Sequence, residues 1–302
     1  MADEVDISFF GKKDKKKHDK KDGTEMSGPV GSKYTGPVIS RATKDIEFRT
    51  NNDLIGTALV FNHTEIKGQS PRVGSDKDRK AIKKALKGFG FNVTVFDDLT
   101  FGDLNSELEK ASKLDHSKSD CFVVVVMSHG LTGKVYAKDM VYPVERLWQP
   151  FLGDKCPTLI NKPKLFFIQA CRGDELEQPV VYEAEYTLMS LNAVEAPEPT
   201  RYAIPNSADL LVMYSTMEGH YSWRNPLNGS WFIQALANVM NDYSVEGRDA
   251  ELYELLTAVN RKVAYEYQSN VPNNEDMDEM KEMPNFVSTL TKKFIFRIKK
   301  TQ

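Results

Sequence analysis

Two short segments of the chain place a histidine and a cysteine directly after apolar runs. The run at 121–127 (CFVVVVM) leads into His129, and the run at 164–170 (KLFFIQA) leads into Cys171. If both runs are neighbouring parallel strands, the two residues emerge at the same edge of one sheet. An imidazole there can take the proton of a thiol, and the resulting thiolate is a nucleophile. The placement is typical of nucleophilic catalysis.

Structural interpretations of the same residues stay open at this point. A lone cysteine is usually a buried thiol that packs like a small hydrophobic side chain, and a lone histidine is usually a satisfied core residue. Gly130 and Gly173 follow the pair and allow close approach of the backbone, so N–H groups there could face a developing oxyanion. Spacing alone does not decide between a catalytic and a structural pair.

Strand and helix patterns alternate around these segments. Apolar or alternating runs predict strands at 55–61, 91–96, 121–127, 164–170, 209–214 and 286–297. Helical periodicity predicts a helix capped at Ser75 or Asp76 and ending near 88, and others at 103–114, 232–239 and 252–263. The alternation predicts an α/β domain with helices on both faces of a mostly parallel sheet. Two long segments, 174–201 and 268–283, interrupt it and are typical of functional or disordered loops.

The composition is that of a globular protein and limits the function classes. The 302 residues are 40% hydrophobic and 27% charged, with a net charge of -3, which argues against a nucleic-acid binder as a whole. No run approaches the roughly 20 apolar residues of a membrane span, and no N-terminal stretch resembles a secretory signal. The widely spaced Cys121, Cys156 and Cys171 favour free thiols in a reducing cytosol, with no disulfide framework and no metal site.

Residues 1–50 differ in composition from the remainder of the chain. The stretch 11–21 (GKKDKKKHDKK) is lysine-rich, and a segment rich in Gly, Ser, Pro and Thr follows it. Such a segment buries too little apolar surface to offset its ordering entropy, so we expect a short disordered leader. We interpret the lysine run as a solvated tail, with a patch for acidic partners or RNA as the alternative.

Four motifs decide between the interpretations of the histidine and the cysteine. They are SHG at 128–130, KPKLFFIQACRG at 162–173, YSWRN at 221–225 and GSWF at 229–232. QACRG with a histidine upstream is the signature of caspases. The sequence resembles a caspase from residue 53 to 296, and it is most similar to the executioner caspases of arthropods because the leader is short.

The resemblance implies a fold, a subunit structure and an assembly. The fold would be a three-layer α/β structure with a six-stranded, mostly parallel sheet and helices on both faces. The chain would comprise a prodomain at 1–50, a large-subunit part at 51–182, an intersubunit linker at 183–202 and a small-subunit part at 203–302. The active unit would be a homodimer of large and small subunit pairs, with the last strand, 286–297, near the dimer axis.

The resemblance also assigns roles to individual residues. Cys171 would be the nucleophile and His129 the acid and base, and the N–H groups of Gly130 and Cys171 would form the oxyanion hole. No third member of a triad is assigned, because the family is similar to enzymes with a Cys–His dyad that is oriented by backbone groups. His220, where the family usually has an aromatic residue, is interpreted as part of a subsite wall. The remaining substrate-binding residues would be Arg72, Gln169, Tyr221, Ser222, Trp223, Arg224, Asn225 and Trp231.

The pocket for the substrate aspartate would be built by Arg72, Gln169 and Arg224. Two guanidiniums and one amide satisfy most lone pairs of a carboxylate. An uncharged or cationic substrate side chain would leave these donors unpaired, and a polar site rejects analogues in this way. Proteases that cut after arginine or lysine would need an acidic pocket instead.

The processing sites depart from the family pattern, because no aspartate lies between Asp174 and Asp209. We therefore expect the linker to be cut after a glutamate, Glu183 or Glu185 in YEAE. In the leader, Asp22 is the preferred site because a glycine follows it. The DEVD sequence that ends at Asp6 resembles a favoured executioner substrate, but an isoleucine follows it and makes Asp6 the less favoured site.

The sequence thus predicts a cytoplasmic thiol endopeptidase of apoptosis, made as a zymogen and needing no cofactor or metal. The expected partners are protein substrates with aspartate at the cut, an upstream initiator caspase, a second copy of the chain, and inhibitor-of-apoptosis proteins or viral caspase inhibitors. A membrane is not expected, and neither is nucleic acid. The alternatives are a decoy homologue that only binds, and a nucleotide-binding α/β domain, although no phosphate-binding glycine motif follows the first strand.

Overall fold

A computed structural model describes residues 4–5, 46–179 and 205–299. Within these ranges the strands, in chain order, are β1 Glu4–Val5, β2 Leu54–Asn62, β3 Asn92–Asp97, β4 Ser119–Met127, β5 Gly130–Leu131, β6 Lys134–Tyr136, β7 Val141–Pro143, β8 Lys164–Gln169, β9 Gly173–Glu175, β10 Leu210–Tyr214, β11 Gly219–His220, β12 Trp223–Asn225, β13 Gly229–Ser230, β14 Ala250–Glu251, β15 Asn285–Ser288 and β16 Ile295–Phe296. The helices are α1 Ser75–Gly88, α2 Phe101–Ser112, α3 Trp231–Glu246 and α4 Leu252–Glu266. Single 3₁₀ turns lie at Val144–Leu147, Gln149–Phe151 and Pro157–Leu159.

The central sheet has six strands in the order β15-β10-β8-β4-β2-β3. Its pairs are parallel except for β15, which runs antiparallel to β10. Every residue of β4 and of β8 is buried, because each strand has neighbours on both sides and packed layers on both faces. The predicted six-stranded, mostly parallel sheet is confirmed.

A hydrophobic core lies on each face of this sheet. On one face α1, α3 and α4 pack against it, through side chains such as Leu86, Leu236 and Leu256. On the other face α2 and the 3₁₀ turns pack, through side chains such as Leu108 and Phe151. Helices therefore cover both faces, and the predicted three-layer α/β fold is confirmed.

Helix starts differ by one or two residues from those expected. The prediction that Ser75 or Asp76 caps α1 was wrong, because the N-cap is Gly74, at φ 88°, and Ser75 is the first helical residue. A Cβ at position 74 would lie 2.8 Å from the Pro226 carbonyl oxygen, so only glycine fits this turn. In α2 the Thr100 hydroxyl accepts the Asp103 N–H, and the helix therefore begins at Phe101 rather than at 103.

The single strand predicted at 286–297 was wrong, because two short strands, β15 and β16, occupy this segment. β15 continues the central sheet, and β16 pairs with β14 instead. Between them, the Asp209 carboxylate accepts hydrogen bonds from the N–H and the hydroxyl of Thr291 at 3.1 and 2.7 Å. These bonds turn the chain away from the sheet, and Phe294 and Phe296 then enter the core beside α4.

We expect Leu256→Ala to lower the free energy of unfolding by about 2–5 kcal/mol, because it leaves a cavity in the core between α4 and the sheet. Val245→Ala on α3 is the control, since Val245 is 87% exposed and such changes shift stability by about 0.5 kcal/mol or less. Urea unfolding followed by circular dichroism measures both variants. Equal losses in the two variants would contradict the core described here.

Candidate active site

The pairing of β4 with β8 places Cys171 and His129 at one edge of the sheet. Met127 lies opposite Gln169, and the next N–H, of Ser128, donates to the Gln169 carbonyl at 3.0 Å. The chains then separate, with Gly130 still in contact with the second segment. A Cβ on Gly130 would lie 2.5 Å from the Cys171 carbonyl oxygen, so only glycine allows this approach.

The ring of His129 is oriented by backbone. Its Nε2 lies 2.9 Å from the carbonyl oxygen of Ser70. A carbonyl only accepts hydrogen bonds, so Nε2 carries the proton of the neutral ring and Nδ1 keeps the lone pair. The ring is thus held in the tautomer whose Nδ1 can accept a proton. The Ser70 carbonyl occupies the place that a carboxylate takes in a triad, which fits the expected dyad.

Burial keeps both members of the pair neutral. It raises the pKa of the Cys171 thiol to about 12, although the Ser222 N–H, 3.3 Å from Sγ, acts in the opposite direction. Burial, followed by the nearby Arg72 charge, lowers the pKa of His129 to about 4. At neutral pH the pair is therefore a thiol and an uncharged imidazole.

A chain of hydrogen bonds joins β8 to the segment that opens β12. The Gln169 side-chain amide donates to the Ser222 hydroxyl at 2.6 Å, and that hydroxyl donates to the Glu282 carboxyl. The same carboxyl accepts the N–H of Trp223. Burial raises the pKa of Glu282 well above its usual range in spite of these donors. The position of Ser222 beside the Cys171 sulfur thus depends on contacts from two other segments.

The arginines expected in the specificity pocket are both buried. One guanidinium nitrogen of Arg72 donates to the His63 carbonyl at 3.1 Å, and Nε of Arg224 donates to the Val73 carbonyl at 2.8 Å. Burial lowers the pKa of Arg72 to about 10, a value that still keeps the group charged at neutral pH. Its charge acts on both Cys171 and His129.

Aromatic rings and amides occupy the region beyond the arginines. The rings of Trp223 and Trp231 stack with centroids 5.6 Å apart, and the ring of Tyr267 stacks on Trp231 at the same centroid distance. A cavity of about 470 Å³ lies beside them, and its lining includes Asn225, Trp231, Gln234, Asn238, Tyr267 and Gln268. The oxygen of the Asn225 side chain accepts two backbone N–H groups of the turn that follows β12.

Tyr221 and His220 lie on the β9 side of the cleft. The Tyr221 N–H donates to the Glu175 carbonyl at 2.9 Å. His220 belongs to β11, and its Nε2 lies 3.2 Å from a carboxylate oxygen of Glu177. The predicted cleft residues are therefore brought together, whereas Asp22, Glu183 and Glu185 lie outside the described residues.

Sequence reasoning missed a buried acid on α1. The carboxylate of Asp78 accepts the Ser230 N–H at 2.8 Å, the Ser230 hydroxyl at 2.6 Å and the Gln234 amide at 2.7 Å. It also raises the pKa of Arg72 through its charge. Asp78 therefore fixes the start of α3 and stands as counter-charge to a pocket arginine. From sequence it is one of several charges in a first helical turn.

Ser70 and Glu282 were missed for different reasons. Ser70 acts through its carbonyl, so its residue type carries no signal. Glu282 belongs to the acidic segment 268–283, which was predicted to be a functional or disordered loop, and only its burial distinguishes it from the other acids there. Within that segment, the Glu282 carboxyl holds β12 in place by accepting the N–H of Trp223.

The described residues also bear on the other expected site types. Cys121, Cys156 and Cys171 are free thiols, and all three are buried. Over residues 46–179 and 205–299, no group of three or more His, Cys, Asp or Glu side chains is arranged to hold a metal ion. In the same ranges no helix combines the length and the hydrophobicity that crossing a bilayer requires.

Comparison with known proteins identifies the family. A model of the caspase domain matches residues 55–295. This chain is a caspase. It is 39% identical over 251 residues to caspase-1 of Spodoptera frugiperda, covering 82% of this chain and 81% of that protein. It is 40% identical over 248 residues to caspase-1 of Drosophila melanogaster, covering 82% and 74%.

A solved structure extends the likeness to three dimensions. The crystal structure of the Spodoptera caspase-1 superposes with a TM-score of 0.78 at 36% identity, covering 87% of this chain and 98% of that chain. The predicted likeness to arthropod caspases is confirmed. The protein is accordingly a cysteine-type endopeptidase of the aspartate-directed, apoptotic kind, and its substrates are proteins.

We expect Asp78 to make stability depend on pH. Burial raises its pKa in the folded chain from 3.8 to about 6, so the stabilisation is present at low pH and is lost as pH rises through 6. Two pKa units correspond to about 3 kcal/mol. The free energy of unfolding of wild type minus that of Asp78→Asn should therefore fall by about 3 kcal/mol between pH 4 and 7.

Asp76→Asn is the matched control, two residues earlier in α1. The Asp76 side chain is half-exposed, and its hydrogen bond with Lys80 lowers its pKa, so it stabilises the folded chain at pH values above the usual carboxyl range instead. The difference from wild type should change with pH in the opposite direction. Denaturant unfolding across the pH range measures both variants, and a flat curve for Asp78→Asn would contradict the raised pKa.

Proposed function

We propose that this caspase is an executioner endopeptidase of apoptosis in which Cys171 attacks the bond after aspartate and His129 moves the proton. The observation that carries the proposal is the meeting of three elements at one sheet edge. The β4 and β8 ends supply the dyad, and β12 brings Arg224 and Ser222 beside it. The executioner role itself rests on the sequence resemblance to arthropod members.

The dyad supports a two-step acyl transfer. Nδ1 of His129 would take the thiol proton as Sγ attacks the scissile carbonyl, and the protonated ring would then give the proton to the leaving amine. The N–H groups of Gly130 and Cys171 would face the oxyanion. The close contact of Gly130 with the Cys171 backbone supports this pairing of donors. Water then hydrolyses the thioester and releases the new carboxyl terminus.

The pocket would select aspartate through charge and geometry. Arg72 and Arg224 are positive and buried, and Gln169 lies at the end of β8 beside the nucleophile. A short carboxylate placed among them would receive planar, charge-assisted donors from two sides. An asparagine in place of the substrate aspartate would carry no charge, and its amide N–H groups would face the N–H donors of the pocket. We therefore expect kcat/KM for a peptide ending in aspartate to exceed that for the asparagine peptide by about 10⁴-fold.

Residues upstream of the aspartate would bind along β12. Tyr221 and Trp223 would form the walls of the next subsite. The cavity lined by Asn225 and Trp231 would take a side chain farther upstream, and its amide-rich lining suits a polar residue. His220 would lie at the wall near β9.

Activation would follow from cutting the linker at 183–202. The large-subunit part, 51–182, would contribute Arg72, Gln169 and the dyad, and the small-subunit part, 203–302, would contribute β12. The leader at 1–50 would be removed, with Asp22 as one site. We propose a homodimer, an upstream initiator caspase as activator, a cytoplasmic location, and inhibitor-of-apoptosis proteins or viral caspase inhibitors as antagonists.

We expect Arg72→Lys to lower kcat/KM for an Asp-ending peptide by about 10- to 100-fold, because lysine cannot reproduce the planar donor fork in a buried site. Arg79→Lys is the control, since Arg79 makes a half-exposed ion pair with Asp97 and should change kcat/KM little. Steady-state kinetics on a chromogenic tetrapeptide measure both. Cys171→Ala should abolish turnover, and residual Cys171-independent activity would contradict the proposed nucleophile.

Cleavage of the linker after glutamate is tested by mass spectrometry of the activated chains. We expect a new carboxyl terminus at Glu183 or Glu185, and Glu183→Gln/Glu185→Gln should block the cut and the gain of activity. Glu195→Gln/Glu198→Gln changes the same charge in the same linker and should have no effect. Full activity from an uncut chain, or a cut elsewhere, would contradict the proposed site.

A further inference from the structure

The segment that leads into β15 carries one glutamate into the interior, directly against β12. Glu282 is only 1% exposed. Hydrogen bonds anchor the two residues before it, because the Met280 N–H donates to the Ser269 hydroxyl at 2.7 Å and the Lys281 N–H donates to the Glu177 carbonyl at 3.0 Å. The Glu282 carboxyl therefore occupies a site that the surrounding chain builds, and the anchors keep it from turning out to solvent.

The hydrogen bonds of this carboxyl are too few for a buried anion. Its Oε2 accepts the N–H of Trp223, and the Ser222 hydroxyl also donates to the carboxyl. Oε1 is buried and has no hydrogen-bond partner among the described residues. An ionised carboxylate offers about four acceptor sites on its two oxygens, and a buried charge is costly unless it is paired. A protonated carboxyl carries no charge and needs fewer donors around it.

The charged groups around Glu282 also favour its neutral form. Burial raises its pKa well above the usual range, and the charge of Asp78 on α1 acts in the same direction. The ammonium group of the adjacent Lys281 donates to the Tyr267 carbonyl. An ionised Glu282 would in turn raise the pKa of the Cys171 thiol and of Tyr267. Within residues 46–179 and 205–299, no cation lowers the pKa of this carboxyl.

Two contacts connect Glu282 to the nucleophile. The N–H of Ser222 lies 3.3 Å from Sγ of Cys171, and the Ser222 hydroxyl accepts the Gln169 amide at 2.6 Å. The N–H of the next residue, Trp223, is bonded to Glu282 itself. A neutral carboxyl can hold both residues in place. An anion there would add a second negative charge near the sulfur as the thiol loses its proton, and a like charge disfavours the thiolate.

We propose that Glu282 works as a neutral carboxylic acid and is a positioning residue for Cys171, acting through Ser222 and Trp223. This inference rests on the proposed function, in which Cys171 is the nucleophile. It deepens that function by assigning a role in the reaction to a residue of the acidic segment. The hydrogen bonds of the carboxyl, and not its negative charge, are what the cleft requires.

The first test compares two substitutions in the full chain after activation, with an Asp-ending chromogenic peptide as substrate. Glu282→Gln should keep kcat within about threefold of wild type, because an amide reproduces the shape and the hydrogen bonds of a neutral acid. Glu282→Met has a similar length but leaves the buried Trp223 N–H without its acceptor. We expect it to lower kcat at least about 10-fold, with a smaller change in KM.

Glu275→Gln is the matched control, since it removes the same charge from an exposed position of the same segment and should leave kcat and KM unchanged. Melting curves ensure that each variant is assayed while it is folded. If Glu282→Gln loses as much kcat as Glu282→Met, the negative charge is what matters and the inference is wrong. Wild-type kcat in Glu282→Met would show that the residue positions nothing.

The second test reads the protonation state by infrared difference spectroscopy, and it needs only folded protein. The spectrum of wild type minus Glu282→Gln at neutral pH should contain the C=O stretch of a protonated carboxylic acid. The spectrum of wild type minus Glu275→Gln should contain only carboxylate bands. Carboxylate bands alone in the Glu282 difference would overturn the proposal.

The same kinetic assay keeps the inference separate from the proposed function. Wild type should cut the peptide, and Cys171→Ala should not. If wild type is active but the Glu282 variants or the infrared bands contradict the expectation, the inference fails and the proposed function stands. If wild type leaves the peptide intact, the proposed function fails, and this inference fails with it.

Discussion

The register between β4 and β8 is the constraint on which the rest of the cleft depends. Parallel pairing fixes Met127 opposite Gln169, and a one-residue slip would turn every side chain of a fully buried strand to the other face. Two hydrophobic cores, one on each side of the sheet, resist that slip. The positions of Cys171 and His129, the proposed dyad, are thus set by packing that lies far from their side chains.

Charge organises the second half of the cleft. The guanidiniums of Arg72 and Arg224 donate hydrogen bonds to the carbonyls of His63 and Val73, and these bonds orient both groups. The negative charge of Asp78 offsets the charge of Arg72, and its hydrogen bond with Ser230 connects α1 to the start of α3.

The sequence predicted most of the fold, and the misses there and around the candidate site have physical causes. Buried parallel strands such as 121–127 are visible as unbroken apolar runs, and the proposal of Cys171 as nucleophile rests on the QACRG motif. The split of the last strand depends on Asp209 holding Thr291, a contact between residues far apart in the chain. Ser70 acts through backbone, and the burial of Asp78 and Glu282 is decided by helices and strands that pack around them. Periodicity contains no information on such contacts.

The β8–β10 pairing crosses the segment proposed for cleavage, with five residues of each strand in register. Scission between these strands would leave their hydrogen bonds and both cores in place, so the two fragments would remain one folded body. What changes is the molecularity of unfolding. A nicked chain comes apart into two molecules, and its melting temperature then depends on protein concentration, whereas the melting of an uncut monomer does not. The parallel sheet that builds the cleft would thus also make the cut enzyme more fragile on dilution.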